Sequence, residues 1–249
     1  MSEIEGIYAV WLRELKVYIR EKERVISSLV SPLLWIIAFG TGLGSVVTIE
    51  GVNYRTYIYP GILVMSVLFS SLFYGVYVIW DRKLDFLKEV LVAPLSRASI
   101  FIGKVLGGCT TVLVQTTTIM IIGYFIGLPL SPETFAKVFL LLFILSIALV
   151  SMGLAIGANM RSPEGFMLVA NFVIWPLFFF SGALFPLNNL PDWLMGVTSI
   201  NPVTYGVDAV RGAVIGTQHY PLLCDIGVLL LLSLIVITVG TWSFKKMHD

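Results

Sequence analysis

The sequence predicts an all-α integral membrane protein that crosses the bilayer six times. The first observation is composition: 57% of the 249 residues are hydrophobic, only 12% are charged, and the mean hydropathy is +0.93. Because a soluble domain has about 25% charged residues, lipid is the solvent that fits this chain. The second is the presence of apolar segments of about 20 residues, the length that a transmembrane helix needs. The third is the uneven distribution of lysine and arginine between the loops.

Six apolar segments form one predicted transmembrane domain, residues 25–249, after an N-terminal segment at residues 1–24. The predicted spans are 25–47, 57–80, 99–128, 135–159, 165–185 and 222–244. The first apolar run begins near Val25, which is too far from the initiator for a cleavable export signal. Cys109 and Cys224 lie in or beside apolar stretches without metal-ligand spacing, so they are expected to be small apolar residues.

Lysine and arginine predict the orientation. With the N-terminus in the cytoplasm, thirteen of them fall on the cytoplasmic side and only Arg55, Lys137 and Arg211 on the other. Positive residues are retained on the cytoplasmic side during insertion. We therefore expect a multi-pass protein of the plasma (cytoplasmic) membrane with both termini in the cytoplasm.

Residues 1–24 are predicted to form an amphipathic helix at the membrane interface. Apolar residues recur at spacings of three and four and so share one face; they are Ile4, Ile7, Tyr8, Trp11, Leu15 and Tyr18. Trp11 and the tyrosines suit the headgroup region. The opposite face has Arg13, Lys16, Arg20 and Arg24. Such a helix anchors the chain to the surface or transmits force from a cytoplasmic partner, and the two roles are compatible.

The loop at residues 81–97, between the second and third spans, predicts a docking helix on the cytoplasmic side. Leu84, Leu87 and Leu91 share one helical face, with charged residues on either side. Pro94 ends this helix, and Ser96 or Ser99 then caps the third span. An apolar stripe of this kind favours contact with another protein, and a solvated loop is the alternative. The candidate coupling residues are Leu84, Leu87, Lys88, Glu89, Leu91, Pro94 and Arg97.

Residues 186–221, between the fifth and sixth spans, predict a helical hairpin that re-enters the membrane from outside. Pro191 and Asp192 start one short helix, and Asn201 and Pro202 start a second. Asp208 and Arg211 are three residues apart, and because charge near lipid is costly we expect them to pair or to face the bundle interior. An exposed pair on an external loop is the alternative. The candidate gate residues are Pro186, Pro191, Asn201, Pro202, Tyr205, Asp208 and Arg211.

The fifth predicted span contains an aromatic cluster around a proline. Pro176 removes a backbone donor and predicts a kink. The candidate pathway residues are Trp175, Pro176, Phe178, Phe179 and Phe180. They predict an apolar surface for a lipid-linked or aromatic solute, and simple packing against lipid or each other is the alternative.

Catalytic motifs are missing from the sequence. It has no G-x-x-x-x-G-K-S/T phosphate loop, no G-x-S-x-G and no H-E-x-x-H. His219 and His248 are predicted on opposite sides of the membrane, so they cannot share a metal ion. An ion-coupled carrier would require an acid near the centre of a span, and no predicted span has one there. We expect no enzyme, no metal site and no cofactor bound by this chain, but a transport protein that receives its energy from a partner.

The two unusual loops are also the basis of a family resemblance. Residues 88–97 with Gly103-Lys104, and then residues 181–186, 190–193, 201–205 and Arg211-Gly212, resemble the type-2 exporter permeases of ABC transporters. The likeness is greatest to the group of daunorubicin-export and Nod-factor-export permeases. It covers nearly the whole chain.

This resemblance implies the transmembrane permease subunit of an ATP-driven exporter. Two permease copies, identical or homologous, would pair in the lipid and bind two separate ATPase subunits that hold ATP and magnesium, without nucleic acid. Coupling is assigned to the N-terminal helix and residues 81–97, and the permeation path to spans one, two and five. The expected solute is hydrophobic or lipid-linked: a drug, a lipid or a glycan. A secondary, ion-coupled carrier without an ATPase is the alternative.

Overall fold

The computed structural model describes residues 3–44, 47–49, 51–84, 95–188 and 190–246. These ranges contain ten helices and one short antiparallel hairpin of β1 (Thr48–Ile49) and β2 (Val52–Asn53). The helices are α1 (Glu3–Arg20), α2 (Lys22–Gly42), α3 (Tyr54–Phe73), α4 (Val76–Lys83), α5 (Arg97–Phe125), α6 (Pro132–Asn159), α7 (Pro163–Phe179), α8 (Asp192–Ile200), α9 (Pro202–Ile215) and α10 (Leu222–Lys246).

Five helical segments of the described chain are long and apolar enough to cross a membrane. They are α2, α3 together with α4, α5, α6 and α10, and they agree with predicted spans one, two, three, four and six to within a few residues. The predicted fifth span forms α7, which has 17 residues. At a rise of 1.5 Å per residue it is roughly 26 Å long, shorter than the roughly 30 Å hydrocarbon core. The protein is an all-α membrane protein with several membrane-spanning helices.

The central helix of the bundle is α3. Its side chains are buried in all directions, among them Tyr57, Ile62 and Leu63. Helices α2, α5, α6, α7 and α9 all pack against it. By contrast, α2 and α10 are mostly exposed. Only 17% of an 18-residue apolar stretch of α2, and 22% of the corresponding stretch of α10, is buried. These two helices therefore lie at the periphery, where lipid or a second chain can contact them.

The second predicted span is interrupted at Tyr74 and Gly75, between α3 and α4. A Cβ atom at Gly75 would collide with the carbonyl oxygen of Gly153 in α6. Because glycine has no Cβ, the backbones of α4 and α6 approach each other more closely there than larger side chains would permit.

Helix α1 confirms the predicted N-terminal helix, although the residues that it buries are not those expected. Its buried residues are Gly6, Val10, Glu14 and Tyr18, at intervals of four. Ile4 and Tyr8, predicted on the apolar face, are exposed. The reason is that α1 lies along α5, and the row of α1 that meets the glycines of α5 is the one with Val10 and Glu14.

The contact between α1 and α5 depends on glycine in α5. We expect Gly103→Ala to loosen this contact, because a Cβ atom there would lie 2.8 Å from Cβ of Val10 and 3.0 Å from the carbonyl oxygen of Ile7. Overpacking of this kind costs about 1–3 kcal/mol. Gly227→Ala in α10 is the matched control, since no atom lies within 4 Å of a Cβ added there. Thermal unfolding in detergent should show a lower midpoint for Gly103→Ala than for Gly227→Ala; equal midpoints would contradict tight packing.

Candidate functional site

A buried ion cluster joins α1, α4 and α5. The carboxylate of Glu14 accepts hydrogen bonds from Lys104 Nζ at 3.0 Å and from the Tyr74 hydroxyl at 2.7 Å. Lys104 also donates to the carboxylate of Asp81, and Arg13 Nη2 donates to the other oxygen of that carboxylate at 2.9 Å. The side chains of Lys104, Glu14 and Asp81 are 3%, 5% and 8% exposed. Three helices distant in sequence are thus held together by charge.

The cluster is electrically balanced, with two cations and two carboxylates. Burial alone would raise the pKa of Glu14, but the charge of Lys104, the Tyr74 hydroxyl and the charge of Arg13 hold that pKa below its ordinary value. Burial would likewise lower the pKa of Arg13, whereas Asp81 and Glu14 raise it. Glu14 and Arg13 are therefore charged at neutral pH, and loss of one member would leave an opposite charge buried without compensation.

Sequence reasoning did not find this cluster. It placed Arg13 on the face of α1 opposite the apolar residues and gave it no partner, whereas its side chain pairs with Asp81. Lys16 and Arg20 are exposed as predicted. Lys104 was the available signal: a lysine within an apolar helix requires a counter-ion, but spacing alone does not reveal which acid supplies it.

Two further contacts hold α1 along α5. Trp11, predicted for the headgroup region, donates from Nε1 to Thr110 Oγ1 at 3.0 Å. Glu3 accepts from the backbone N–H of Ser96 and from the hydroxyls of Ser96 and Ser99, and these hydrogen bonds lower its pKa. Ser96 also accepts from the Ser99 N–H at 3.1 Å, which confirms the predicted cap of this helix. Helix α1 is thereby attached at its N-terminal end, near its middle and at the ion cluster.

The structure describes only the two ends of the predicted docking segment. Leu84 directly follows α4, and it is 72% exposed; Arg97 is the first residue of α5. Leu87, Lys88, Glu89, Leu91 and Pro94 lie outside the described residues. Asp81 is the first residue of the segment and Lys104 follows it, so the ion cluster joins the two helices that the segment connects.

Removal of one charge from the cluster is expected to destabilise the protein. Lys104→Met leaves Glu14 and Asp81 with a single buried cation, and breaking a buried ion pair on one side costs about 3–5 kcal/mol. The double variant Lys104→Met/Glu14→Gln restores the balance and should recover much of the loss. Thermal unfolding and folded yield in detergent measure both. Additive losses in the double variant would show that the two side chains are not coupled.

At the C-terminal end of α7, side chains of α9 satisfy backbone groups that α7 leaves without partners. The last carbonyl groups of a helix have no intrahelical donor. Asn201 Nδ2 donates to the Leu177 carbonyl at 2.7 Å, and Arg211 Nη2 donates to the Gly182 carbonyl at 2.8 Å. Irregular backbone at membrane depth is tolerated where the protein itself supplies such partners.

The predicted ion pair of Asp208 with Arg211 is wrong, although both side chains face the bundle interior as expected. Asp208 accepts hydrogen bonds from the backbone N–H groups of His219, at 2.9 Å, and Tyr220, at 2.8 Å. The Arg211 guanidinium lies 4.3 Å from the ring centroid of Tyr57. Within the part of the chain that the structure describes, the two side chains bind different loops. Hydrogen bonds between a charged side chain and backbone groups are among the stronger ones in proteins.

The remaining gate residues lie in and around the two short consecutive helices α8 and α9. Pro191 immediately precedes α8, and Asn201 caps α9 by accepting from the Val203 N–H at 3.0 Å, with Pro202 as the first helical residue. The hydroxyl of Tyr205 donates to the Ser199 carbonyl at 2.7 Å and so connects the two helices. Pro186 lies in the loop before α8.

The predicted pathway residues lie against the first two spans. Phe178 is buried, with edge-to-face contacts to Trp35 of α2 and Phe69 of α3 at centroid distances of 5.9 and 6.3 Å. Trp175 contacts Phe69 at 5.2 Å and stacks on Phe179 at 5.5 Å. Pro176 lies within the last turn of α7, and Phe180 follows it. Spans one, two and five therefore meet at this aromatic cluster, and its role in permeation stays a prediction.

Asp208 and Arg211 are expected to act independently, because each anchors a different loop to α9. Asp208→Ala removes the acceptor for residues 219 and 220, and Arg211→Ala removes the donor to Gly182. Each loss should cost about 1–3 kcal/mol, since it leaves buried backbone groups without partners. Unfolding midpoints of the two single variants and the double variant measure additivity. A double variant more stable than either single one would indicate a direct ion pair after all.

Several apolar membrane-crossing helices, joined by buried polar side chains at both ends of the bundle, define a multi-pass membrane protein of the permease type. The chain belongs to the ABC-2 type transporter family, whose model matches residues 5–215. It is therefore the transport permease component of an ABC transporter, and the family resemblance seen in the sequence is confirmed.

Proteins of known name agree with this assignment. The chain is 33% identical to the putative transport permease ycf38 of Cyanophora paradoxa, over 79% of this chain and 70% of that protein. It is 27% identical to the inner membrane transport permease YadH of Escherichia coli (strain K12), over 90% of this chain and 88% of the relative. It is 25% identical to nodulation protein J of Rhizobium leguminosarum bv. viciae, over 96% and 93%.

Proposed function

We propose that this chain is one transmembrane half of an ATP-driven exporter, which moves a hydrophobic or lipid-linked solute out of the cytoplasm. The ion cluster of Arg13, Glu14, Asp81 and Lys104 is the observation that supports this proposal most. ABC-2 permeases work with ATPase subunits, and this cluster lies where force from such a subunit would enter. The similarity to nodulation protein J agrees with the resemblance to Nod-factor-export permeases and supports outward transport.

The cluster would make α1, α4 and α5 move as one unit. In this proposal an ATPase subunit docks on the segment between Leu84 and Arg97 and on α1. A displacement of the segment then pulls on α4 and α5 together, because separating buried partners costs about 3–5 kcal/mol. The energy of ATP binding is thus transmitted to the bundle instead of being lost in local rearrangement.

The permeation path would run along α2, α3 and α7, where the aromatic side chains of Trp35, Phe69, Trp175 and Phe178 meet. We propose that α7 and the loop after it form the fifth span in chain order, so that the chain crosses the membrane six times. Helices α8 and α9 would close the outer end of the path. A second copy, or a close homologue, would pack on the side of the bundle where α2, α3 and α7 meet. The thirteen-to-three distribution of positive residues supports a plasma-membrane orientation with both termini in the cytoplasm.

The docking segment is tested by one charge placed on its apolar stripe. Leu87→Asp should leave the permease in the membrane but abolish co-purification with its ATPase subunit and substrate-stimulated ATP hydrolysis. The reason is that burying an unpaired charge in an apolar contact costs on the order of several kcal/mol, which is enough to prevent docking. Gln218→Asp, in the exposed loop before α10, is the control for an added charge. The measurement is pull-down with the ATPase subunit and ATPase rate in nanodiscs. Normal binding by Leu87→Asp would remove this segment as the coupling element.

The ion-coupled carrier remains the second candidate because of one buried acid. Asp225, in the first turn of α10, is fully buried, and neither carboxylate oxygen has a hydrogen-bond partner among the described residues. Such an acid is typical of an ion or proton site. Solute uptake into vesicles that contain the permease without any ATPase decides between the two candidates. Uptake driven by an ion gradient alone would favour the carrier.

A further inference from the structure

A cavity of about 440 Å³ lies within the single chain, beside the ion cluster. Residues of α1, α2, α3, α5 and α7 surround it, together with the interrupted stretch around Tyr74 and Tyr77. Its volume is within the range of roughly 300–1,000 Å³ that small-molecule sites occupy. The cavity adjoins the aromatic cluster, because Phe69 belongs to both, whereas Trp175 and Phe178 do not line it.

One wall of the cavity consists of hydroxyl groups that already donate hydrogen bonds to carbonyl groups of their own helices. Ser27 donates to the Arg24 carbonyl at 3.1 Å, and Ser28 donates to the Val25 carbonyl at 2.9 Å. Thr111 of α5 donates to its own helix in the same manner, at 3.0 Å. A hydroxyl group has one donor and two acceptor sites, so these three oxygens have only acceptor capacity left for a ligand.

Two other hydroxyl groups supply donors. Tyr18 is 4% exposed, and its hydroxyl oxygen is buried without any hydrogen-bond partner, although its residue lines the cavity. Buried polar groups of native proteins nearly always have a partner, so this one points to a ligand or water. Ser31 also lines the cavity and makes no hydrogen bond to the described part of the chain.

Arg24 is the single charged residue among those that line the cavity, and its charge is already partly engaged. Arg24 forms an ion pair with Glu21 at 3.2 Å, and its guanidinium carbon lies 4.1 Å from the ring centroid of Tyr77. The amide of Gln115 is engaged on both sides, as acceptor from Ser70 and donor to the Ser28 carbonyl. The positive charge of Arg24 is therefore partly compensated by Glu21 and attracts an anionic ligand less strongly. What remains is hydrogen bonding and apolar contact.

We propose that this cavity binds an amphiphile with an uncharged, hydroxylated head group. Such a head group donates to Ser27, Ser28 and Thr111 and accepts from Tyr18 and Ser31. A phosphate group only accepts hydrogen bonds, and a quaternary ammonium group does neither, so both match this wall less well. The apolar part of the ligand packs against Met65, Phe69 and Phe73. This inference rests on the proposed export function, for which the cavity is the loading site.

The test uses three photoreactive probes with the same alkyl tail: a glucoside, a phosphate and a trimethylammonium compound. The full-length permease is placed in nanodiscs of phosphatidylcholine, which has no free hydroxyl group, and the labelled peptides are identified by mass spectrometry. The glucoside should label α2, α3 and α5 around the cavity in a saturable manner. The phosphate and trimethylammonium probes should label these peptides several-fold less.

Variants of the wall make the result specific. Tyr18→Phe removes one hydroxyl group and should weaken glucoside labelling by roughly two- to tenfold, the value of one hydrogen bond. Ser31→Phe fills the cavity and should abolish saturable labelling, while Tyr124→Phe, on an exposed part of α5, should change nothing. Equal labelling by all three probes, or glucoside labelling that neither cavity variant reduces, would overturn the proposal. The assay contains no ATPase and no ATP, so a negative labelling result would leave the exporter proposal intact. Conversely, the expected labelling could still be observed if the ATPase-docking test failed.

Discussion

The bilayer offers no water to backbone or charged groups, and this constraint explains the buried polar contacts of the structure. Each carbonyl and N–H group at membrane depth needs a partner from the protein itself. Long helices meet the requirement internally, but α7 ends after 17 residues. The carbonyl groups beyond it are satisfied by Asn201 and Arg211 of α9, with Asn201 also capping that helix. Helix α9 and its cap are therefore packed as part of the same unit as the end of α7.

The same constraint governs the charges at the α1 end of the bundle. Lys104 is almost fully buried, and it is tolerable there because Glu14 and Asp81 lie within hydrogen-bonding distance. A buried ion pair contributes little net stability, but it selects one arrangement of its helices, since alternatives leave charges without compensation. If residues 81–97 dock an ATPase subunit as proposed, such selectivity suits the transmission of movement better than a fluid apolar contact.

The two polar ends enclose a middle region of different character. Between them α2, α3 and α7 meet through aromatic rings, which pack edge to face without fixed hydrogen bonds. The hydroxyl-lined cavity lies between this region and the ion cluster, and α2 at its side is the least buried of the membrane-crossing helices. A bundle that is held firmly at its ends and loosely along one peripheral helix is suited to admit a solute from the side.

The sequence by itself determined the elements of this protein and much of their order. Composition and apolar length predicted the membrane helices, the spacing of apolar residues predicted α1, and the breakers Pro191 and Asn201 predicted the two helices of the hairpin. The predicted aromatic residues of α7 also lie against the two spans that were expected. These features depend on interactions within a few residues of the chain, and periodicity reports them directly.

Only the tertiary structure decided which polar groups meet. Asp208 and Arg211 are neighbours by spacing, yet they bind the separate loops at Tyr220 and Gly182. Glu14 and Lys104 are ninety positions apart, and they form one ion pair. Helical spacing identifies residues that share a face, but the lowest free energy of a buried charge depends on every donor and acceptor that packing brings near it, including backbone groups of distant segments. That information exists only once the helices are assembled.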